Sequence, residues 1–154
     1  MANKAYEEKR IEAESEVTTF LGRLTYALQS GKANINFQRD RKVDENRDEK
    51  HTNRYTMLSL FPDEDEVAVL KRELSSLTDQ DYIETVKDRR YKKRSEMRVF
   101  GKRYCDEDVY IKIRVELLNA IAAGGDNYIF VMSFHFAEKL FTDSTFPFRQ
   151  KRGV

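Results

Sequence analysis

The chain has 154 residues, enough for one domain built around one sizeable core. Aromatic residues make up 12%, with ten Phe and eight Tyr, which excludes a disordered chain. Lys+Arg 28 against Asp+Glu 27 nearly cancel, so only local segregation of charge can point to a partner.

Cys105 is the one cysteine, and there is no CxxC or Cys/His cluster. That excludes a disulfide within the chain and a cysteine-ligated zinc centre, and it suits a reducing cytosol. No apolar run approaches the ~20 residues of a membrane span. The opening MANKAYEEKRIEAESE lacks the apolar core of a signal peptide. The expectation is a soluble, cytoplasmic protein with no membrane partner.

In chain order, residues 3–30 are predicted helical, with Val17, Leu21, Leu24 and Leu28 as one apolar stripe and Gly31 as the stop. The first dozen residues, half of them charged, are expected to form an exposed or fraying extension of that helix. Residues 39–54, RDRKVDENRDEKHTNR, hold one aliphatic side chain, Val43, and read as a solvated loop or exposed helix. Pro62 is expected to open a second helix, with Asp63, Glu64, Asp65 and Glu66 at the positive end of its dipole and Val67, Leu70, Leu74 and Leu77 buried. Thr78-Asp79-Gln80-Asp81 reads as a cap for a third helix carrying Tyr82, Ile83 and Val86.

After residue 95 the apolar period becomes two. Strands are predicted over 97–104, 109–117 and 127–136, with a turn at 120–126 and a short edge segment at Phe146-Pro147-Phe148. The third strand is apolar on both faces and so central. Phe130, Met132, Phe134 and Phe136 are assigned to the core, with His135 pointing the opposite way. Helices first and strands later give an α+β fold, with N-terminal helices packed on one face of an antiparallel sheet. The chain reads as one domain over 1–154, with a charged extension at 1–16 and a charged insertion at 39–54.

Charge segregates most strongly in KDRRYKKRSEMRVFGKR, residues 87–103, where nine Lys/Arg against Asp88 and Glu96 leave a net +7. Clustered cations displace counterions from phosphates, and the interleaved Tyr91, Phe100 and Tyr104 are of a kind that stacks on unpaired bases. Next to this run, DVYIKIRV (108–115) sets Tyr110, Lys112 and Arg114 on one face of a strand. The RNA-binding candidates are Arg89, Arg90, Lys92, Lys93, Arg94, Arg98, Arg103 and Arg114.

Metal-free RNA cleavage has the 2′-hydroxyl attack the adjacent phosphate. It requires a proton acceptor, a donor for the 5′-oxygen and cations for the phosphorane. His135 suits either proton role, and Tyr110 or Lys112 can assist. Lys102, Arg103 and Arg114 can offset the developing charge. Other chemistries lack their signatures: there is no serine nucleophile elbow, P-loop or paired-glycine dinucleotide loop. The acidic tracts 63–66 and 106–108 lack a metal-ligand spacing, so no metal or cofactor is expected.

RVFGKRY (98–104), DVYIKIRV (108–115), FVMSFHFAEK (130–139) and FPF (146–148) together resemble the MqsR family of toxin–antitoxin ribonucleases, within the wider RelE-like group. ELSSLTDQDYIETV (73–86), TMLSLFP (56–62) and FLGRLTYALQSGKANINF (20–37) extend the similarity over about residues 17–148, in the family's order. The resemblance implies a metal-independent mRNA endoribonuclease, inhibited by a cognate antitoxin protein, with helices preceding a twisted antiparallel sheet. On it, Tyr110 matches the family's active-site tyrosine, and His135 a position that carries a basic residue. Lys102 lies in the matching FGK, where Arg98 replaces a usual tryptophan. Glu84 stands where some members have an active-site lysine, with Lys87 or Arg89 as substitutes. The alternative is a non-catalytic module that holds RNA or an acidic protein segment on the same basic surface.

Overall fold

The computed structural model describes residues 6–29, 33–41, 48–91, 93–117 and 127–149. The protein is α+β. Strand β1 (Glu7–Arg10) precedes α1 (Glu14–Gln29), β2 (Ala33–Phe37), α2 (Asn53–Leu60), α3 (Glu66–Ser75), β3 (Tyr82–Asp88), β4 (Met97–Tyr104), β5 (Glu107–Leu117) and β6 (Asn127–Phe136). The six strands form one sheet in the order β1-β3-β4-β5-β6-β2. All pairs are antiparallel except β2 with β6.

The helices cover one face. Val17, Phe20, Leu24, Ala27 and Leu28 of α1, Met57 of α2, and Val69, Leu70 and Leu74 of α3 pack on Phe100, Val109, Ile111, Ile113, Ile129, Val131, Phe134 and Phe136. Fully burying side chains of this size contributes about 1.5–3 kcal/mol each. The opposite face has only a small apolar floor of Val86, Met97 and Val99, with Ile83, Tyr110, Phe130 and Met132 against it. None of the apolar floor on this open face comes from a helix.

Several expectations are corrected. Residues 7–10 form an edge strand rather than a helical extension; short and charged, EEKR blunts that edge against further pairing. The helix after Pro62 begins at Glu66, where Asp65 caps it by accepting from the Ala68 amide at 2.9 Å. Its stripe therefore runs through Val69, and Val67 is exposed. Thr78 and Asp81 do form a reciprocal cap, but over a single 3-10 turn, and Tyr82–Asp88 continues as β3. The aromatic and β-branched content of YIETV suits a half-buried strand better than a helix. Phe146-Pro147-Phe148 is not a strand: Phe148 stacks on Tyr82 at 5.6 Å, and Phe146 is buried over β4. Residues 33–37, within the segment taken for an opening helix, form β2. Gly31, Val43 and the 120–126 turn lie outside the described residues.

Two irregularities shape the open face. The β3–β4 register skips Ile83, and the β5–β6 register skips Met132. An extra residue in a strand reverses the alternation beyond it. Phe134 and Phe136 thus belong to the helix-side core, while Phe130 and Met132 lie on the open face. The sequence reading had placed all four together.

Beyond Val131, β2 no longer covers the edge of β6, and side chains from the segment opening α2 replace it. Asn53 donates to the Met132 carbonyl at 3.0 Å and accepts from the Phe134 amide at 2.9 Å. The Thr56 hydroxyl accepts from the Phe136 amide at 2.8 Å, and His51 Nδ1 lies 3.1 Å from the Phe136 carbonyl oxygen. Edge groups that would otherwise be buried without partners are thereby satisfied.

At the other end of the sheet, Glu12 is buried between β1 and α1. Arg98 donates to both its oxygens at 2.8 and 3.0 Å, and Thr85 donates to the first of them. Arg98 also lies over the Phe20 ring at 4.8 Å, which ties the strand layer to α1.

Candidate active site on the open face of the sheet

Alternation along β5 sends Val109, Ile111 and Ile113 into the core, and Tyr110, Lys112 and Arg114 to the open face. Tyr110 pairs with His135 across β5 and β6, and Lys112 with Ser133. Phenol, imidazole, ammonium and hydroxyl thus make a block two residues wide and two strands deep. The Tyr110 and His135 rings stack, with centroids 5.4 Å apart and planes at 21°. Directly opposed cross-strand pairs bring side chains this close without backbone strain.

His135 is buried at 5% exposure, and Tyr110 is half-buried. His135 Nδ1 lies 2.9 Å from the Phe136 carbonyl oxygen. A carbonyl only accepts, so this hydrogen bond requires the proton on Nδ1. In the neutral ring, Nε2 then keeps the lone pair.

Lys112 is also buried, with Nζ 3.1 Å from Glu7 Oε2. Glu7 belongs to β1, three strands away in the sheet order. Three spacings of about 4.8 Å would separate them by roughly 14 Å in a flat sheet. The two side chains therefore reach toward each other across the open face, over the intervening strands β3 and β4.

Along the face from this block, the Arg114 guanidinium lies 4.7 Å over the Phe130 ring, with Nε 3.5 Å from Glu116. Tyr128 and Phe130 stack in turn, 6.5 Å between centroids. In the other direction the block is bordered by the chain after β6. The Phe141 amide donates to Asp108 at 2.9 Å, and Phe141 and Phe146 close over Gly101, beside Tyr110. A Cβ at Gly101 would stand 2.5 Å from the Phe141 ring, so a side chain is not tolerated there without displacing it.

The other predicted residues divide by face and by end. Lys102 and Arg98 project to the helix side, opposite Tyr110. Lys102 donates to Ser76 Oγ at 2.8 Å, and Arg98 holds Glu12. Arg103 pairs with Asp108 in the register, is exposed, and donates to the Asp106 carbonyl. Arg89, Arg90, Lys93 and Arg94 are exposed on the β3–β4 connection, and Lys92 lies outside the described residues. There Arg90 lies 3.5 Å over the Tyr6 ring and pairs with Asp88 at 2.9 Å, while Arg94 lies 4.2 Å over Tyr91. A hydrogen bond from Arg90 holds the Asp88 carboxyl below its ordinary value despite partial desolvation. Ser95 donates to Glu116, fixing this connection beside the Arg114 end of β5. Four residues at about 3.3 Å each put that end roughly 13 Å from Tyr110. The basic connection thus continues the face at one end and does not surround the Tyr110–His135 pair.

Glu84, on the open face, pairs with Lys9 at 3.7 Å, and Lys87 donates to the Arg94 carbonyl at 2.7 Å. The sequence reading missed Glu7, Ser133 and His51. Ser133 was accessible, since it precedes His135 by one period of two. Glu7 lies in a charged opening stretch with nothing to single it out.

Among the described residues, no three His, Cys, Asp or Glu side chains are grouped to hold a metal ion, and no helix is long and apolar enough to cross a membrane. The chain matches no family model, no curated protein and no solved structure.

Proposed function

We propose that the open face is the RNA-cleaving surface of a metal-independent endoribonuclease, the toxin of a toxin–antitoxin pair with a RelE-like fold. The observation that carries this reading is the stacked Tyr110–His135 pair, with Lys112 and Ser133 one step along the same face. The His135 imidazole supplies proton transfer to or from a ribose hydroxyl. The phenol positions the phosphate by hydrogen bonding, and Lys112 and Arg114 offset charge on the phosphorane. The Arg114–Phe130–Tyr128 stack and the cationic β3–β4 connection extend the surface as a track for a single strand. The substrate is mRNA in the cytoplasm, and the regulator is a cognate antitoxin protein.

Induced expression with mapping of RNA 5′ ends tests this. Growth arrest with new, sequence-biased 5′ ends is expected. Normal growth with an unchanged 5′-end map contradicts the toxin reading.

A second reading is non-catalytic binding of RNA or of an acidic protein segment. Its support is that Lys112 is already paired with Glu7 and that His135 is buried. Steeply salt-dependent RNA binding with no product after long incubation would favour it.

A further inference from the structure

The chain has two histidines, and both meet at one oxygen. His51 ends the 3-10 turn Glu49–His51 in front of α2, and its Nδ1 lies 3.1 Å from the Phe136 carbonyl oxygen. His135 Nδ1 approaches the same atom at 2.9 Å. With both legs on one oxygen, the two nitrogens are no more than about 6 Å apart. A carbonyl has two lone pairs and accepts from both rings. Each ring is thereby fixed with its proton on Nδ1 and its Nε2 directed away from the shared oxygen. His51 lies in the stretch 39–54, which the sequence presents as a solvated insertion.

We infer that His51 is the second proton-transfer group of the open-face site, acting with His135; this rests on the nuclease reading above. Cleavage by the 2′-hydroxyl moves two protons. One leaves the 2′-oxygen as its bond to phosphorus forms, and one reaches the 5′-oxygen as the P–O5′ bond breaks. The products are a 2′,3′-cyclic phosphate and a 5′-hydroxyl. A neutral imidazole takes the first proton and an imidazolium gives the second, so one turnover leaves the pair with its proton exchanged, and solvent resets it.

The other polar groups fill the second role poorly. Lys112 is committed to Glu7, and Tyr110 is stacked on His135, where it serves as a hydrogen-bonding group. Two imidazoles at one carbonyl supply acid and base from one residue type. The charged and titratable groups around His51 are Asp48, Glu49 and Lys50 of its own turn, Tyr55 of α2, which packs on the Phe136 ring, and Glu107 of β5, which pairs with Lys50 at 2.8 Å. Around His135 stand Tyr110, Lys112 two residues further along β5, and Asp108 two residues before Tyr110, which accepts from the Phe141 amide.

His51→Asn tests the role, because the amide N–H replaces the Nδ1 donor to Phe136 while removing the exchangeable proton. The expected result is a folded protein that binds a 2′-deoxy oligonucleotide as the wild type does. It should cleave the matching oligoribonucleotide about 10²–10⁴-fold more slowly, with one limb of the pH–rate profile lost. Wild-type cleavage by His51→Asn, with an unchanged pH profile, would reduce His51 to an edge cap and overturn the inference. Absence of cleavage by the wild type itself would remove the nuclease reading, and the role of His51 with it. Long-range nitrogen NMR of the wild type gives an independent check: both rings should carry the proton on Nδ1 when neutral, and an Nε2–H tautomer for His51 contradicts the arrangement.

Discussion

Glu7 and Lys112 are 105 residues apart in the chain and three strands apart in the sheet, yet their charges meet at 3.1 Å on the open face. Both side chains are largely buried, at 15% and 8% exposure. Removing one member of such a pair costs far more than the pair contributes, since the remaining charge loses its counterpart in a poorly solvated place. Glu7→Ala is therefore expected to lower stability by about 2–4 kcal/mol. Glu7→Leu with Lys112→Met should recover most of that loss. Urea unfolding of the single and double variants checks this, and an unchanged midpoint for Glu7→Ala would contradict it.

Asn53 spans the uncovered edge of β6 with one amide group, bonded to Gln38, Met132 and Phe134. Asn53→Ala leaves buried backbone groups without those partners, at about 1–3 kcal/mol for each group left unsatisfied. Hydrogen exchange at the Phe134 amide should accelerate more than at Ile111 on the neighbouring strand. Equal acceleration at both would indicate global loosening instead.

Acid should weaken the Glu12–Arg98 clasp. Burial pushes the Glu12 carboxyl up, but hydrogen bonds from Arg98 and Thr85, with the charges of Arg98 and Arg10, outweigh it and hold the carboxyl below its ordinary value. A lowered folded-state value means that the unfolded chain binds the proton first. The stabilisation is then fully present above the unfolded carboxylate value, about 4.3, and is lost as pH falls through the folded one. Stability measured between pH 6 and pH 3 should fall more steeply for the wild type than for Glu12→Gln. Parallel curves would contradict the assignment.

Cys105 and Asp106 form the two-residue turn between β4 and β5, with φ of 50° and 66°. Both positions positive in a hairpin favour Asn followed by Gly. Cys105→Asn with Asp106→Gly is expected to raise stability by about 1 kcal/mol, read as an upward shift of the thermal midpoint. A lower midpoint would contradict it.

How far the sequence could be read depended on whether local pattern and tertiary context agreed. Strands β4 and β6 follow from period-two alternation, and the open-face placement of Tyr110, Lys112 and Arg114 follows from the same rule. β3 was hidden because a genuine cap at Thr78 and Asp81 introduces one 3-10 turn, and a cap specifies a start but not a length. β1 was hidden because a charged edge strand carries no apolar period at all. The extra residue at Met132 reverses the face of everything after it, and no local signal in FVMSFHF marks it. Arg98 and Lys102 were read as part of one basic surface because charge density along the chain does not say which face of a strand a side chain takes. The meeting of His51 with His135 needed the fold itself, since 83 intervening positions separate them and His51 sits within a charged stretch.

The most direct test of the open face as an RNA-cleaving surface is incubation of the purified protein with single-stranded mRNA in the presence of a chelator, followed by analysis of the product ends. The expected products carry 2′,3′-cyclic phosphate and 5′-hydroxyl ends, and are abolished in folded Tyr110→Ala and His135→Ala variants. Cleavage undiminished in both variants, or RNA bound without any product, would contradict it.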